Sequence, residues 1–404
     1  MRIAIFSDNF YPELSGITDS ITALGKELAK RGHAVQYYAP YYSKRDYERV
    51  GLREKDAEFG ERIGVTRFWS FPAHAPSGQG RGVIPTPWHW LGAKAFRPDI
   101  IHTQLFYGTG LEALIAARLL KIPLVGTNHT AVKAYSQFYP IKQEWFANLL
   151  LKYANWYYGK CGFVTAPSRS VLEEMRQFGF KAACRSLSNP IDTETFRPLP
   201  NKEWLRKQFG FSEKTIIFAS HLSVEKNIDV LIRALPLVRK EIPNAELAIA
   251  GKGPSENDLK KLVASLDLAD SVKFLGFLNK PSLAEAYNAS KAFVIASTAE
   301  TQSMVTMQAM ATGLPIIATN SRALPEYVTK KNGFLVEPED VRAFAEKIIY
   351  LLQRPSVGKK LGENGKKMTQ KFSVKEITNE WERIYENVIK SYNHVEADKR
   401  RSEP

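Results

Sequence analysis

The chain has 404 residues, 44% of them hydrophobic, which suits a globular protein with two cores of average size and is too long for one. No window holds the roughly 18 uninterrupted apolar residues of a membrane span, and Cys161 and Cys184 are too few for a disulfide scaffold and lack metal-ligand spacing, so they read as buried free thiols. The net charge of +14 is uneven, because residues 113–190 carry ten Lys or Arg against three acids.

The N-terminus, Met1-Arg2-Ile3-Ala4-Ile5-Phe6, enters a strand directly, without the charged region, apolar stretch and small-residue cleavage site of a secretion signal. This predicts a cytoplasmic protein. Short runs rich in Ile, Val and Phe then predict strands at Arg2 to Ser7, Ala34 to Ala39, Gly64 to Trp69, Ile100 to Gln104, Leu124 to Asn128 and Phe163 to Ala166. Between the first two, Asp19 to Lys30 places Ile21, Leu24 and Leu28 at helical spacing, and Gly32 closes the helix. Gly16, in the loop before that helix, can bring backbone N–H groups to a phosphate. His102 and His129 each stand near a strand end, where a structural histidine and a functional one fit equally at His129 and the structural one fits better at His102.

A proline-dense linker from Asn189-Pro190-Ile191 to Pro198-Leu199-Pro200 separates a second series of strands: Thr215 to Ser220, Ala245 to Ala250, Val272 to Leu275, Ala292 to Ala296, Pro315 to Ala318 and Gly333 to Val336. Two such series predict an α/β protein of two doubly wound lobes, 1–190 and 191–373, whose ligands lie beyond the carboxyl ends of the strands. A cleft between the lobes is the expected active site. A last helix, 374–395, carries Ile377, Trp381, Ile384, Tyr385 and Val388 on one face, and the charged stretch 396–404 is expected to be disordered.

The most informative loop follows Ala292 to Ala296. It leads through Glu300, Thr301 and Gln302 into a short helix that Ser303 can cap and that Gly313 and Pro315 end. Free N–H groups at such a helix start make an anion site, and Glu300 at the strand exit can bind sugar hydroxyls or stabilise positive charge. An exposed acid near a helix cap is the alternative. The loop after Thr215 to Ser220 offers His221 and Lys226 for a diphosphate, although a solvated lysine fits there as well. Gly251-Lys252-Gly253-Pro254 follows the next strand, where glycines let backbone approach a ligand, but it lacks the ending and spacing of a P-loop.

In order and spacing these segments resemble a family 4 retaining glycosyltransferase with the GT-B fold, over nearly the whole chain. The resemblance includes the N-terminal glycine loop, Leu187-Ser188-Asn189-Pro190-Ile191-Asp192, the Lys226 and Glu300 loops, Asn332 to Pro338 and the final helix, which in that family crosses back to the N-terminal lobe. It implies a nucleotide-sugar co-substrate with no cofactor and no metal. Lys226 would bind the donor diphosphate and Glu300 the sugar hydroxyls. Gln302, Ser303, Met304 and Val305 would line sugar and phosphate, Gly251 and Gly253 would lie near the base and ribose, and Gly16 would close over the diphosphate. His129 matches the histidine near the reacting sugar. Two departures stand out. The usual E-x7-E pattern ends here in Gln308, which can still bond ribose but forfeits a charge-assisted contact of about 1–3 kcal/mol. Ser220-His221 replaces the usual Gly-Arg, so a forked permanent cation is absent and Lys226 carries more of the diphosphate charge. Ser15 and Ser303 also stand where glycine is common.

For the acceptor, Ala131 to Gly162 mixes aromatic residues with Lys133, Lys142, Lys152 and Lys160, and Trp145 lies among them. Aromatic and basic helices of this kind can lie at a lipid headgroup surface, while core packing explains many of the same aromatics. The segment is similar to the lipid-facing part of diacylglycerol glucosyltransferases. That likeness implies glucose transfer from UDP-glucose to a membrane lipid or another hydroxyl acceptor, by an enzyme peripheral on the inner face of the cell membrane. The basic patch then faces anionic lipid, with a merely solvated basic face as the alternative. Nucleic acid is not expected, since no helix-turn-helix, zinc-finger or RNP-like pattern appears. Two rival readings stay open: a sugar-nucleotide epimerase using Glu300 and His129, and a nucleotide-sugar-binding protein of weak activity, suggested by His221 and Gln308.

Overall fold

The computed structural model describes the chain except residues 14, 51, 53–58, 74–79, 87, 134–142 and 403–404. It divides into two units, Met1–Pro190 together with Val374–Pro404, and Ile191–Ser373. Among the described residues the strands of the first unit are β1 (Arg2–Phe6), β2 (Ala34–Pro40), β3 (Ile63–Phe68), β4 (Ser70–Pro72), β5 (Arg81–Val83), β6 (Ile100–Thr103), β7 (Leu124–Thr127), β8 (Phe163–Ala166) and β9 (Cys184–Ser186). One parallel sheet has the order β3-β2-β1-β6-β7-β8-β9, and β4 pairs antiparallel with β5. Ile3, Ala4, Ile5 and Phe6 of β1 are at most 1% exposed, as a central parallel strand covered on both faces requires. The three-residue strands β4, β5 and β9 are too short to show a period in the sequence, and β9 is an edge strand with Arg185 and Ser186 exposed. Cys161 is buried, whereas Cys184 in β9 is only partly so, which corrects the expectation of two buried thiols.

The second unit holds β10 (Lys214–Ala219), β11 (Ala245–Ala250), β12 (Val272–Gly276), β13 (Phe293–Ile295), β14 (Ile316–Thr319) and β15 (Gly333–Val336) in the order β12-β11-β10-β13-β14-β15. All pairings are parallel, and Ile217 of β10 faces Ala248 on one side and Phe293 on the other. Each sheet is therefore doubly wound. Strand order reverses between β1 and β6 in the first and between β10 and β13 in the second, and at such points a crevice opens beyond the strand ends.

The last helix belongs to the first unit. Ile377, Trp381, Ile384 and Tyr385 are buried on one face, and Glu382 is an ionic anchor beside the Glu380–Arg185 pair. It accepts from Arg31 Nη1 at 2.5 Å and pairs with His33 Nε2 at 2.8 Å, while Arg31 also donates to Asn379 and to the Lys375 carbonyl. The helix runs from Val374 to Ser402, so the stretch expected to be disordered is helical through Ser402. Its Glu, Ala, Asp, Lys and Arg residues are compatible with helix, no Pro or Gly interrupts it before Pro404, and His394 pairs with Asp398 one turn on.

The Arg31 and His33 partners hold the Glu382 carboxyl below its ordinary 4.5 despite partial burial. A depressed carboxylate contributes stability above its unfolded value and loses it as pH falls through its folded value. Glu382→Gln is therefore expected to cost about 1–2 kcal/mol in chemical denaturation at pH 7. The difference should shrink as pH falls below 4.5 and vanish only once the folded carboxyl, whose own value lies lower, is protonated; an equal loss at neutral and at strongly acid pH would mean that packing, not charge, holds the helix.

Candidate functional site

The crevice of the second unit lies between the exits of β10 and β13, and the loops there are tied to each other by backbone. The Glu225 carbonyl accepts from Thr298 N and Ser297 Oγ, both at 3.3 Å, and Asn227 Nδ2 donates to the Ala296 carbonyl at 3.3 Å. Asn227 has φ of 47°, a left-handed turn that Asn tolerates better than most residues. It ends the short turn Val224–Lys226 and starts the helix Ile228–Glu241. This geometry points Lys226 at Glu300, with Nζ 2.8 Å from Oε1. Both are buried, at 8% and 7% exposure. A charge buried to that degree is tolerated when it is paired, so the Glu300 carboxylate is not the exposed capping acid that the sequence also allowed.

Directly after Glu300, the helix Met304–Ala311 begins. Ser303 occupies its N-cap position, but its hydroxyl accepts from Thr306 Oγ1 at 2.8 Å and caps no backbone N–H, contrary to the sequence expectation. Ser303 thus leaves the positive end of the helix uncapped, the condition under which a helix start attracts an anion. Gln302 and Ser303 are buried, Met304 and Val305 are half-buried, and Tyr287 donates to the Val305 carbonyl at 3.3 Å. Gln308, one turn in, is 6% exposed, and its side-chain amide meets no hydrogen-bond partner among the described residues. A buried amide in that state has donors and an acceptor to offer a ligand.

Gly251 and Gly253 lie in the loop after β11, and their lack of a side chain serves the protein itself. A Cβ on Gly251, whose φ is 143°, would lie 1.9 Å from the Ser220 carbonyl oxygen, and one on Gly253 would lie 2.3 Å from that of Leu222. The glycines let this loop clamp the β10 exit, where Leu222 N donates to the Lys252 carbonyl and Ser255 N to the Leu222 carbonyl. His221 sits in the clamped segment. Desolvation of its ring, with the Lys226 ammonium, outweighs Glu225 and keeps the imidazole below its ordinary 6.5. At neutral pH it is an uncharged partner, so Lys226 is the permanent cation of this loop.

In the first unit, Gly16 opens the helix Gly16–Lys30, three residues earlier than the apolar spacing indicated, because Ser15 caps it: Thr18 N donates to Ser15 Oγ at 3.1 Å. That bond gives the serine found in place of glycine a structural use. At the β1 exit, burial pushes the Asp8 carboxyl up to about 6 even though Thr109 N and Gly110 N donate to it. His129 follows β7, is buried, and has Nε2 2.8 Å from Gln104 Oε1. Burial lowers its imidazole to about 3. His102 is fully buried among Tyr385, Thr127 and Trp381, the structural alternative of the sequence reading.

The basic, aromatic segment resolves into two faces of the helix Glu144–Tyr158. Ala147, Leu151, Ala154, Tyr157 and Tyr158 are buried, so core packing accounts for the two tyrosines. The opposite face is apolar as well: Trp145, Leu149 and Trp156 are 59%, 55% and 47% exposed, with Lys152 exposed between them at helical spacing. Lys133 is already engaged by Glu144 at 3.8 Å and by the Phe178 ring, and Lys142 lies outside the described residues. The sequence reading missed a second set of outward aromatics, Trp69 and Trp88, which are 65% and 70% exposed with Phe71 and Ile84 beside them in sequence. It also missed Gln104 and Asn227. Their signal was position, at a strand exit and beside Lys226.

Gly253→Ala is expected to push apart the β10 and β11 exit loops and to cost about 1–3 kcal/mol, an overpacking penalty read from thermal or urea denaturation. A change under about 0.5 kcal/mol would show that the clamp is not needed to hold the loop.

Two protein-family profiles match the chain: Glycosyltransferase Family 4 over residues 14–195 and Glycosyl transferases group 1 over residues 201–368. An alpha-monoglucosyldiacylglycerol synthase of Streptococcus pneumoniae is 32% identical over 338 residues, covering 82% of this chain and 74% of that protein. A second protein of that name, from Acholeplasma laidlawii, is 25% identical over 405 residues, 97% of this chain and 98% of the other. Among solved structures, Anabaena HepE in complex with UDP-glucose superposes with a TM-score of 0.74 at 20% identity, over 96% of this chain and 100% of that one. The chain belongs to the family 4 glycosyltransferases and has the GT-B fold.

Proposed function

We propose that the chain transfers glucose from UDP-glucose to a membrane lipid such as diacylglycerol, with retention of configuration and without a metal. The observation that carries this reading is the buried Lys226–Glu300 pair set beside a helix start that the Ser303 side chain leaves uncapped. Breaking a glycosyl phosphate bond puts negative charge on the leaving diphosphate and positive charge on the sugar. Lys226 and the first N–H groups of Met304–Ala311 suit the former, and Glu300 suits the sugar hydroxyls and the latter. His221, Gly251, Gly253, Gln302, Ser303, Met304, Val305 and Gln308 are the proposed donor-binding residues around them, and Gly16 and His129 those of the first unit. The acceptor hydroxyl attacks from the face that the diphosphate leaves, and its proton passes to the departing phosphate oxygen.

The names of the two glycolipid synthases and the UDP-glucose bound to HepE support the donor and acceptor classes. No helix among the described residues is long and apolar enough to cross a membrane. The outward Trp145, Leu149 and Trp156 with Lys152, and Trp69 and Trp88, fit a protein that rests on an anionic lipid surface from the cytoplasmic side.

Incubation with UDP-glucose and diacylglycerol in anionic vesicles is expected to yield a glucolipid whose anomeric carbon, read by NMR, keeps the α configuration, and EDTA should leave the rate unchanged. An epimerised nucleotide sugar, or binding without turnover, would replace this reading. Lys226→Ala and Glu300→Gln should each lower kcat by about 100- to 1000-fold, and more than about a tenth of the wild-type rate in either variant would remove that residue from the reaction centre. Replacing Trp145 and Trp156 together by Glu should weaken vesicle flotation about tenfold or more, since each buried Trp contributes on the order of 2 kcal/mol. Undiminished flotation would move the contact to another face.

A further inference from the structure

Within the first unit a line of side-chain hydrogen bonds runs from the last helix through the sheet to His129. Tyr385 Oη lies 2.8 Å from His102 Nδ1, and His102 Nε2 lies 2.8 Å from Thr127 Oγ1, which in turn lies 2.9 Å from Thr165 Oγ1. The Trp381 ring lies 4.1 Å from that of His102, so the last helix holds this imidazole from two sides. Gln104 joins the two histidines. Its Nε2 is 3.0 Å from His102 Nε2 and 3.3 Å from His102 Nδ1, and its Oε1 is 2.8 Å from His129 Nε2.

These residues are all buried, and burial holds both imidazoles at about 3, so each carries a single proton at neutral pH. The rest follows from donor and acceptor inventory. An amide nitrogen only donates and an amide oxygen only accepts. Gln104 Nε2 lies within reach of whichever nitrogen of neutral His102 has the lone pair, a place the Tyr385 and Thr127 hydroxyls can also serve, and in this arrangement Gln104 Oε1 faces His129. An acceptor 2.8 Å from His129 Nε2 requires a proton there. The lone pair of His129 is then on Nδ1, which meets no hydrogen-bond partner among the described residues.

We propose that Gln104, lodged between His102 and His129, is a positioning residue that fixes His129 in the Nε2–H form and so presents Nδ1 as the acceptor for a substrate hydroxyl. The contact with substrate rests on the glycosyltransferase reading of His129 given above, whereas the choice of tautomer does not. The opposite tautomer would present an N–H at the same place, and that group cannot accept a hydrogen bond from a hydroxyl. Tyr385 and Trp381 enter the device by keeping the His102 ring in place, which gives the last helix a connection to His129 that its distance in sequence conceals.

The test uses the full chain with 15N-labelled histidine. Long-range 1H–15N spectra report which imidazole nitrogen bears the proton, and the His129 signals are assigned by their loss in His129→Ala. The expected wild-type result is a protonated Nε2 and a bare Nδ1. Gln104→Leu should give mixed or reversed tautomers at His129 and lower kcat about tenfold or more, with KM for UDP-glucose within about twofold. Gln104→Glu keeps an acceptor toward His129, so it should retain the Nε2–H form and recover part of the rate. A proton on Nδ1 in the wild type, or an unchanged Nε2–H form in a folded Gln104→Leu, overturns the proposal. If His129→Ala turns over at the wild-type rate while Gln104→Leu still shifts the tautomer, the substrate contact falls and the fixing of the tautomer stands.

Discussion

The reversal of strand order between β10 and β13 is the constraint on which the site depends. Parallel strands end on one side of their sheet, and only at a reversal do the loops leaving two neighbouring strands turn to opposite faces and leave room between them. Lys226 and Glu300, 74 residues apart, meet because those two loops share the Glu225 carbonyl and the Asn227 side chain. Either charge buried alone would be strongly destabilising, on the order of 3–5 kcal/mol. The pair is therefore tolerated only while the loops stay in register, which is why the clamp by Gly251 and Gly253 matters to chemistry that neither glycine performs. Their side-chain positions face Ser220 and Leu222, so beside any backbone contact to a ligand these glycines hold the loop that holds the cation.

Much of this was legible in the residues. β1, β10 and β13 are continuous apolar runs bounded by polar loops, because a strand covered on both faces has no solvent side to encode. The Glu300 segment was readable for the same reason, as a polar loop between such a strand and a helix ended by Gly313. What the sequence concealed depends on side-chain geometry or on short elements. Ser303 has the residue type of a cap and stands at the cap position, yet its hydroxyl is taken by Thr306, a choice settled by side-chain geometry rather than by residue type. Gln104 is one polar residue at a strand exit until His102 and His129 are seen on either side of it. The tail was misread because dense charge is shared by disordered chain and by exposed helix, and only the i,i+4 placement of His394 and Asp398 distinguishes them.

The aromatic segment shows how composition and burial divide a single helix. Tyr157 and Tyr158 anchor it to the core, and the same sequence leaves Trp145, Leu149 and Trp156 facing outward. An amphipathic surface helix ordinarily gives its outer face to charge. Here the outer face is apolar with one lysine, and the cost of exposing it to water is what a lipid surface would relieve. On the lipid surface proposed above, the uneven positive charge of residues 113–190 would act at longer range than the apolar contact and draw the protein to anionic headgroups before any tryptophan inserts.

The second unit is an insertion within the first. The chain leaves the first unit at Pro190 and re-enters it at Val374, and the two crossings adjoin, since Ile191 N donates to the Phe372 carbonyl at 2.8 Å and Ile191 bridges Ser373. A ribosome therefore delivers Ile191–Ser373 whole before it delivers the helix that covers His102 and engages Arg31. The inserted core can close early while the outer one waits with that face uncovered. A chain cut at Ser373 would keep one finished core and leave the other without its last wall, so the order of synthesis makes the surroundings of His102 the final part of the first unit to be assembled.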